Sequence, residues 1–217
     1  MSQPQTHSPD ESTHGTGHQI SLWWLLVPLL LLGVGLYANW FSPTSVGLLS
    51  PAVGKPAPQL DLVLLADTPA LNRLESDPTG KVTLVHFWGT WCGPCKMEYP
   101  HLNHMVHKYK SHSCFQFVPI SCEGTRTETF AGLLNKTNGY FESQGIQSVA
   151  FADPRGITRR SAAERLEQSS LYYPTSIVVS PNGTIAGVWQ GYTSDAVSQI
   201  DSLIAQLLLP EVSTSGR

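Results

Sequence analysis

Residues 87–100 read FWGTWCGPCKMEYP and hold two cysteines, Cys92 and Cys95, separated by two residues. An apolar run of β-branched and aromatic residues, KVTLVHFW at 81–88, precedes the pair, and apolar residues at helical spacing follow it. The pattern predicts a buried central strand and then a helix that begins at Cys92 and ends near 111–113. The two sulfur atoms should therefore lie at the carboxyl end of a strand, where sites form in open α/β sheets.

The rest of the chain alternates between strand and helix patterns. Further strands are predicted at 60–66, 114–122, 148–153, 174–180 and 184–192, and further helices at 126–136, 158–168 and 194–209. Pro181-Asn182-Gly183 is a tight hairpin signal between the last two strands, and Ser194 is the expected cap of the last helix. The βαβ order requires parallel strands with right-handed crossovers, whereas the hairpin makes the sheet mixed. The predicted fold class is α/β, with a mixed central β-sheet flanked by helices.

The N-terminal region has a different character. Residues 1–19 are rich in Ser, Thr, Pro, Gly, Gln and His, and we expect them to be disordered. Residues 20–41, ISLWWLLVPLLLLGVGLYANWF, carry no charge, and as a helix they would span about 33 Å, the thickness of a bilayer core. A signal peptide cleaved after Ala38 is the alternative, but no Lys or Arg precedes the apolar run. We therefore expect one transmembrane helix that contacts lipid from Ile20 to Phe41.

A short linker and one folded domain follow. Residues 42–58 contain four prolines and predict a tether, with the linker placed at 42–54. Residues 55–210 are expected to form the domain, and residues 211–217 a C-terminal tail. Flanking charge does not orient the apolar segment, because the first Lys or Arg of the chain is Lys55. The net charge is −3, and the 13 Lys and Arg residues form no block, which argues against a nucleic-acid partner.

The cysteine pair has three chemical interpretations. At a helix start, unpaired N–H groups stabilise a Cys92 thiolate, which attacks a disulfide, and Cys95 one turn later resolves the mixed disulfide. A structural zinc site usually needs four ligands, and this chain has no second C-x-x-C motif. A structural disulfide over so short a loop would constrain the unfolded chain little. Redox exchange is the preferred interpretation, and no metal or other cofactor is expected.

The motif WCGPCK at 91–96 is the active-site motif of thioredoxins. The wider stretch resembles the membrane-anchored thioredoxin-like thiol:disulfide oxidoreductases of the TlpA/ResA type, which act outside the cytoplasmic membrane, several of them in cytochrome c maturation. The resemblance covers about residues 56–208 and includes Ala57-Pro58, Glu98, Pro100, ADPRG at 152–156 and YPTSIVVSPNG at 173–183.

This resemblance implies a thioredoxin fold and a catalytic dithiol. It also implies a cis peptide bond at Pro174, which would set a loop edge against Cys92 so that substrate backbone can pair with it. Trp91, Gly93, Pro94 and Pro174 are then expected to shape the substrate groove. The expected partners are proteins that carry disulfides and a membrane thiol that donates electrons.

Two further residues are candidates for proton transfer. His86 lies six residues before Cys92, where thioredoxins have a buried Asp, and a buried histidine that titrates near neutral pH would move a proton there. Its alternative is a hydrogen-bonded core histidine. Glu123 follows the predicted strand 114–122 at its carboxyl end, where some anchored relatives carry a glutamate; an ordinary surface glutamate is the alternative.

The remaining cysteines and a histidine cluster have simpler interpretations. Cys114 and Cys122 would stand about 26 Å apart on one strand and cannot bond to each other. Cys122 is either a third redox thiol or an inert buried cysteine. His101, His104 and His107 are spaced three apart on the first helix; a solvated face is favoured over a metal site.

The direction of electron flow rests on the residues between the cysteines. The Gly93-Pro94 dipeptide is that of thioredoxin, poised near −270 mV, whereas a strong oxidant such as DsbA is poised near −120 mV. The preferred function is reduction of disulfides on the oxidising side of the membrane, where disulfides persist. The alternatives are an oxidase or isomerase, and a copper-binding chaperone of the same fold. A peroxiredoxin-like peroxidase is disfavoured, because the P-x-x-x-T-x-x-C pattern is absent around Cys92.

Overall fold

The fold is built on the strand that precedes the cysteine pair, β2 (Val82–Trp88), in which every residue is buried. The computed structural model describes residues 27–28, 47–66 and 80–209, and the chain divides into two units, Met1–Ser42 and Pro43–Arg217. The predicted disordered segment 1–19, most of the predicted transmembrane helix 20–41 and the tail 211–217 lie outside the described residues. Within the described residues, no helix has the length and apolar character needed to span a membrane.

Six strands and four helices of the second unit are described. The strands are β1 (Val63–Ala66), β2, β3 (Phe115–Ser121), β4 (Ala150–Ala152), β5 (Thr175–Val179) and β6 (Ile185–Gln190). The helices are α1 (Gly93–Val106), α2 (Phe130–Gln144), α3 (Ile157–Arg165) and α4 (Ala196–Leu208). Each strand and helix predicted within residues 55–210 is present, with shifted ends.

The six strands form one mixed sheet in the order β1-β4-β3-β2-β5-β6. β2, β3 and β4 are parallel, as the βαβ order requires, while β5 and β6 form the antiparallel hairpin and β1 is an antiparallel edge. β2 lies between β3 and β5, which confirms its predicted central place. The carboxyl ends of β2 and β3 therefore meet at one edge of the sheet, beside the cysteine pair.

Helices cover both faces of the sheet. On one face, Ala162 and Ala163 of α3 and Leu166 at its C-terminal cap pack against the apolar side chains of the central strands. On the other face, α1 and α4 share a core that includes Leu102 and Ile200, and α1 and α2 share an aromatic core near the cysteines. The buried apolar side chains hold α1, and with it the cysteine pair, rigidly on the sheet.

Pro100 lies inside α1, where a proline has no N–H to donate to the carbonyl four residues earlier. That carbonyl belongs to Lys96, and the hydroxyl of Tyr140 on α2 donates to it at 3.0 Å. The helix therefore continues through the proline with its freed acceptor satisfied. The same hydrogen bond ties α1 to α2 close to the cysteine pair.

Three predicted boundaries need correction. Residues 47–54, expected in the linker, pack on the domain, because Ala52 is fully buried and Gly47 bridges to Val188 in β6. The helix expected at 126–136 begins only at Phe130, after its Thr129 cap, and runs on to Gln144. Ser194 does not cap α4: Asp195 holds the cap position, and the Ser194 hydroxyl donates to the Asp195 side chain at 2.6 Å.

The segment 47–57 runs beside β6 and occupies its free edge. The N–H of Gly54 donates to the carbonyl of Ile185 at 2.9 Å, and the N–H of Ile185 donates to the carbonyl of Lys55 at 2.8 Å. Two more backbone bonds join the segment to Val188 and Gly183. We call residues 47–57 the edge strap.

Candidate active site at the Cys92–Cys95 pair

Cys92 caps the N-terminus of α1, and its sulfur is bonded to that of Cys95. The backbone N–H of Cys95 donates to the Cys92 sulfur at 3.2 Å. Once the disulfide is reduced, this N–H and the positive end of the helix stabilise negative charge on that sulfur. Cys92 keeps 6% of its surface exposed and Cys95 none, so a disulfide of another protein (a client disulfide) would reach Cys92 first.

Gly93 and Pro94 form the exposed first turn of α1. Neither presents a side chain large enough to cover Cys92, and Pro94 lacks only an N–H that the first helical turn would leave without a helical partner. The turn therefore leaves the approach to the sulfur open.

Trp91 sits in a slot between two glycines beside the pair. A Cβ added at Gly89 would stand 2.5 Å from the Trp91 ring nitrogen, and one added at Gly124 would stand 2.7 Å from its Cδ1. The ring nitrogen donates to the carbonyl of Cys122 at 3.0 Å, and 49% of the side chain remains exposed. The indole is thus held in one orientation while about half of it faces solvent.

The peptide bond between Tyr173 and Pro174 is cis, which confirms the prediction for Pro174. Pro174 directly precedes β5, the strand that pairs with β2. The ring of Tyr173 meets the Trp91 indole edge-on, with centroids 5.2 Å apart, and also packs against the core that contains both cysteines. The proline loop and the tryptophan therefore border the cysteine pair together.

Glu98 is a buried carboxyl group on α1, one turn beyond Cys95. Its side chain is fully buried, and neither carboxyl oxygen has a hydrogen-bond partner among the described residues. Burial raises the pKa of Glu98 to about 8, so the group is mostly protonated at pH 7. The sequence indicated Glu98 only through the family resemblance, because a glutamate in a helix of mixed pattern gives no sign of burial. Chemically, it can take up or release a proton close to Cys95.

His86 is buried in β2, and the prediction that it titrates near neutral pH is wrong. Its Nδ1 lies 2.9 Å from the Ser176 hydroxyl, and its ring is 5.7 Å from that of Tyr99. Burial lowers the pKa of His86 to about 3, so the imidazole is neutral over the physiological range. Its proposed part in proton transfer would have to use the neutral ring.

This burial predicts an acid-sensitive fold. His86 takes up a proton in the unfolded chain near pH 6.5 but in the folded chain only near pH 3, so stability is complete above pH 6.5 and falls as the pH falls towards 3. At pH 5 the loss is about 2 kcal/mol. Replacing His86 with Asn should remove that part of the acid dependence, as measured by urea unfolding at pH 7 and pH 5. An unchanged loss between the two pH values would contradict the buried neutral state.

Glu123 follows β3, as predicted, but an arginine engages it. The Arg159 guanidinium donates to Glu123 at 2.6 Å and to the backbone carbonyl of Asp153 at 2.9 Å. The backbone N–H of Arg159 also donates to the Asp153 carboxylate at 2.8 Å. The network ties the end of β3 to the end of β4. If Glu123 carries protons, it would have to do so while paired with Arg159.

Cys122 and Cys114 are both free thiols. Cys122 is buried below Trp91 and beside Tyr173, and burial raises its pKa to about 12, which leaves little reactive thiolate. Cys114 is exposed at the other end of β3. Of the helix histidines, His101 and His104 face solvent. Across the described part of the chain, no three His, Cys, Asp or Glu side chains are grouped to hold a metal ion.

The fold and the site together define a thioredoxin-like protein of the thiol–disulfide oxidoreductase class. The AhpC/TSA family matches residues 53–188, more than half of the chain, and the protein belongs to that family. The cysteine pair, the neighbouring tryptophan and the cis-proline loop all fall within the matched residues.

Two bacterial relatives carry names of this class. The thiol-disulfide oxidoreductase ResA of Bacillus subtilis is 28% identical over 173 residues, which cover 80% of this chain and 84% of that protein. The thiol:disulfide interchange protein DsbE of Pseudomonas aeruginosa is 40% identical over 88 residues, which cover 39% of this chain. That second match spans about half the length of the relative, 47%.

A solved structure supports the fold. The thioredoxin-family thiol:disulfide interchange protein of Chlorobium tepidum TLS has a TM-score of 0.55 at 24% identity, over 70% of this chain and 94% of that one. At this identity the likeness concerns the fold alone.

Proposed function

We propose that this protein is a membrane-anchored reductase of protein disulfides. The observation that carries the proposal is the position of Cys92, which caps α1, keeps some exposure and is bonded to the fully buried Cys95. In this arrangement the Cys92 thiolate attacks a client disulfide, and a mixed disulfide forms as the client releases one thiolate. Cys95 then attacks the Cys92 sulfur, the second client thiolate leaves, and the Cys92–Cys95 disulfide returns.

The two cysteines thereby lose two electrons and the client disulfide gains them. Cys95 must give up its proton before it attacks, and the nearby buried Glu98 is the group proposed to receive it, once that carboxyl group has itself ionised. A membrane thiol would restore the reduced pair. The Gly93-Pro94 dipeptide of thioredoxins supports the reducing direction.

The site of action is proposed to be the extracytoplasmic side of the membrane. The uncharged residues 20–41 supply the anchor, and protein disulfides persist in oxidising compartments and are rare in reducing ones. The similarity to ResA and DsbE supports this assignment, and the resemblance to the anchored TlpA/ResA type suggests apocytochromes c as clients.

The reduction potential of the Cys92–Cys95 pair tests the proposal. Full-length protein recovered from the membrane fraction would be equilibrated with glutathione or dithiothreitol buffers, and the reduced fraction would be counted by thiol alkylation. We expect a value below about −240 mV. A value above about −180 mV would indicate an oxidase or isomerase, and recovery of the intact chain in the soluble fraction would contradict the anchor.

A further inference from the structure

A polar pocket opens beside Trp91, at the end of the sheet that carries the cysteine pair. The loop residues 123–126 and Glu128 form one side of it, and Pro154 and Arg159 form the other. Its volume is about 380 Å³, enough for a side chain together with water. Neither Cys92 nor Cys95 lines it, so the exchange chemistry does not use it.

The pocket is continuous with the surface that a client must touch. Gly124, which lines the pocket, packs directly against the Trp91 indole. Trp91 precedes Cys92 in the chain and contacts Tyr173 of the cis-proline loop. A polypeptide that is bound through its cysteine to Cys92 and runs past Trp91 therefore brings a side chain to the mouth of the pocket.

The charged side chains that line the pocket differ in whether they have an ion-pair partner. Glu123 is paired with Arg159 at 2.6 Å, and Glu128 is paired with Lys136 at 2.6 Å while it also accepts the N–H of Gly124 at 2.8 Å. Arg126 is exposed and forms no ion pair with any residue that the structure describes. Both carboxylates of the lining therefore already have a cationic partner, although Glu123 shares Arg159 with Asp153, which lies 3.3 Å from that guanidinium. Among the charged residues of the lining, Arg126 is the one whose guanidinium has no ion-pair partner among the described residues, so it is the group available to attract a ligand.

We propose that this pocket is a client subsite that binds an acidic side chain lying a few residues from the client cysteine. The proposal rests on the proposed function, in which polypeptide disulfides are the substrates. An incoming carboxylate would accept hydrogen bonds from Arg126, and the Thr125 hydroxyl lines the same pocket. A basic side chain would find no carboxylate free of an existing partner, because Glu123 and Glu128 are both engaged.

The test measures capture of a peptide by Cys92 alone. In full-length protein in mild detergent, Cys95→Ser keeps the mixed disulfide from being resolved, and Cys114→Ser removes the exposed thiol that would react at random. The peptides carry one cysteine as its mixed disulfide with thionitrobenzoate, flanked by Glu, Gln or Lys. The Cys92 thiolate attacks the peptide sulfur, a Cys92–peptide S–S bond forms, and thionitrobenzoate leaves as a coloured thiolate, so electrons balance without any other reactant.

We expect the Glu peptide to react about threefold to fivefold faster than the Gln peptide at low concentration, as suits an exposed ion pair. The Lys peptide should be the slowest. Arg126→Gln should remove the Glu preference, and Arg126→Glu should reverse it in favour of Lys. Raising the salt to about 1 M should shrink the preference in the parent protein, because the Debye length is then about 3 Å and exposed charges are strongly screened.

Lys110 provides the matched control. It is exposed just beyond the C-terminal end of α1, whereas Cys92 is at the N-terminal end. Lys110→Gln and Lys110→Glu change the net charge by the same amounts as the Arg126 variants, and they should preserve the Glu preference. If they weaken it equally, the effect belongs to net charge and the subsite is overturned.

The remaining outcomes separate the subsite from the proposed function. Equal rates for the three peptides would overturn the subsite while leaving Cys92 as the attacking thiol. No capture of any peptide would overturn both the subsite and the exchange chemistry. A high reduction potential would overturn the reducing direction alone, since capture by Cys92 does not depend on it.

Discussion

Replacing Cys92 with serine is expected to abolish thiol–disulfide exchange, with a loss of at least about a thousandfold, as befits a covalent nucleophile. The sulfur that caps α1 is the one that a client reaches, and a serine hydroxyl stays protonated where a thiol ionises. Reduction of a protein disulfide with dithiothreitol as the electron source measures the effect. Circular dichroism would show whether the variant is folded. We expect it to fold, because the lost disulfide closes a very short loop, with a sequence separation of 3.

Cys114→Ser is the matched control for this prediction. Cys114 is also a free thiol of the reduced protein, but it lies at the opposite end of β3 from the active site, so its loss should leave turnover intact. If the Cys92 variant keeps turning over while the double variant with Cys114 does not, the assignment of the nucleophile is wrong.

Replacing Glu98 with glutamine should stabilise the oxidised protein by about 3 kcal/mol at pH 7. Burial raises the pKa of Glu98 from 4.5 to about 8, so the unfolded chain ionises this group over a pH range in which the folded chain does not. The stability associated with Glu98 is therefore complete below pH 4.5 and is lost as the pH rises towards 8. Glutamine has nearly the same shape and no such loss.

The measurement is urea unfolding of the oxidised protein at pH 4.5, 7 and 8. The Glu98→Gln variant should gain on the parent as the pH rises, and the exposed Glu142→Gln should stay within about 0.5 kcal/mol of it throughout. A Glu98 variant that runs parallel to the parent at all three pH values would show that this carboxyl group is hydrated in solution. Its assignment as the proton acceptor for Cys95 would then lose its support.

The sequence predicted the active end of the fold better than its periphery. The apolar run 81–88 and the helix start at Cys92 are local signals that agree with the tertiary packing, so the central strand and the cysteine pair were placed correctly. The helix after Thr129 was placed too early and too short, because Asn138-Gly139 weakens its local preference and the packing of Phe141 on the sheet sustains it.

The states of the charged groups could not be predicted from the sequence. Glu98 and His86 owe their shifted pKa values to burial by α1 and the sheet, and burial of one particular helix face is a property of the assembled core. The partner of Glu123 is Arg159, 36 residues away, and no local pattern joins them. The packing of residues 47–54 on the domain could not be predicted from the sequence either, because a stretch that contains prolines looks like a tether whether or not it pairs with a strand.

The edge strap bears on how this protein would avoid aggregating with the polypeptide clients proposed for it. A protein whose disulfides are open to attack presents loose backbone, and loose backbone adds readily to any bare strand edge. In this protein the strap already occupies the backbone groups of Ile185 and Val188 on the outer side of β6. The N–H and carbonyl of Ile185 and the N–H of Val188 are therefore not available to an added strand, which favours the cis-proline loop over this edge as the place where the proposed client pairs.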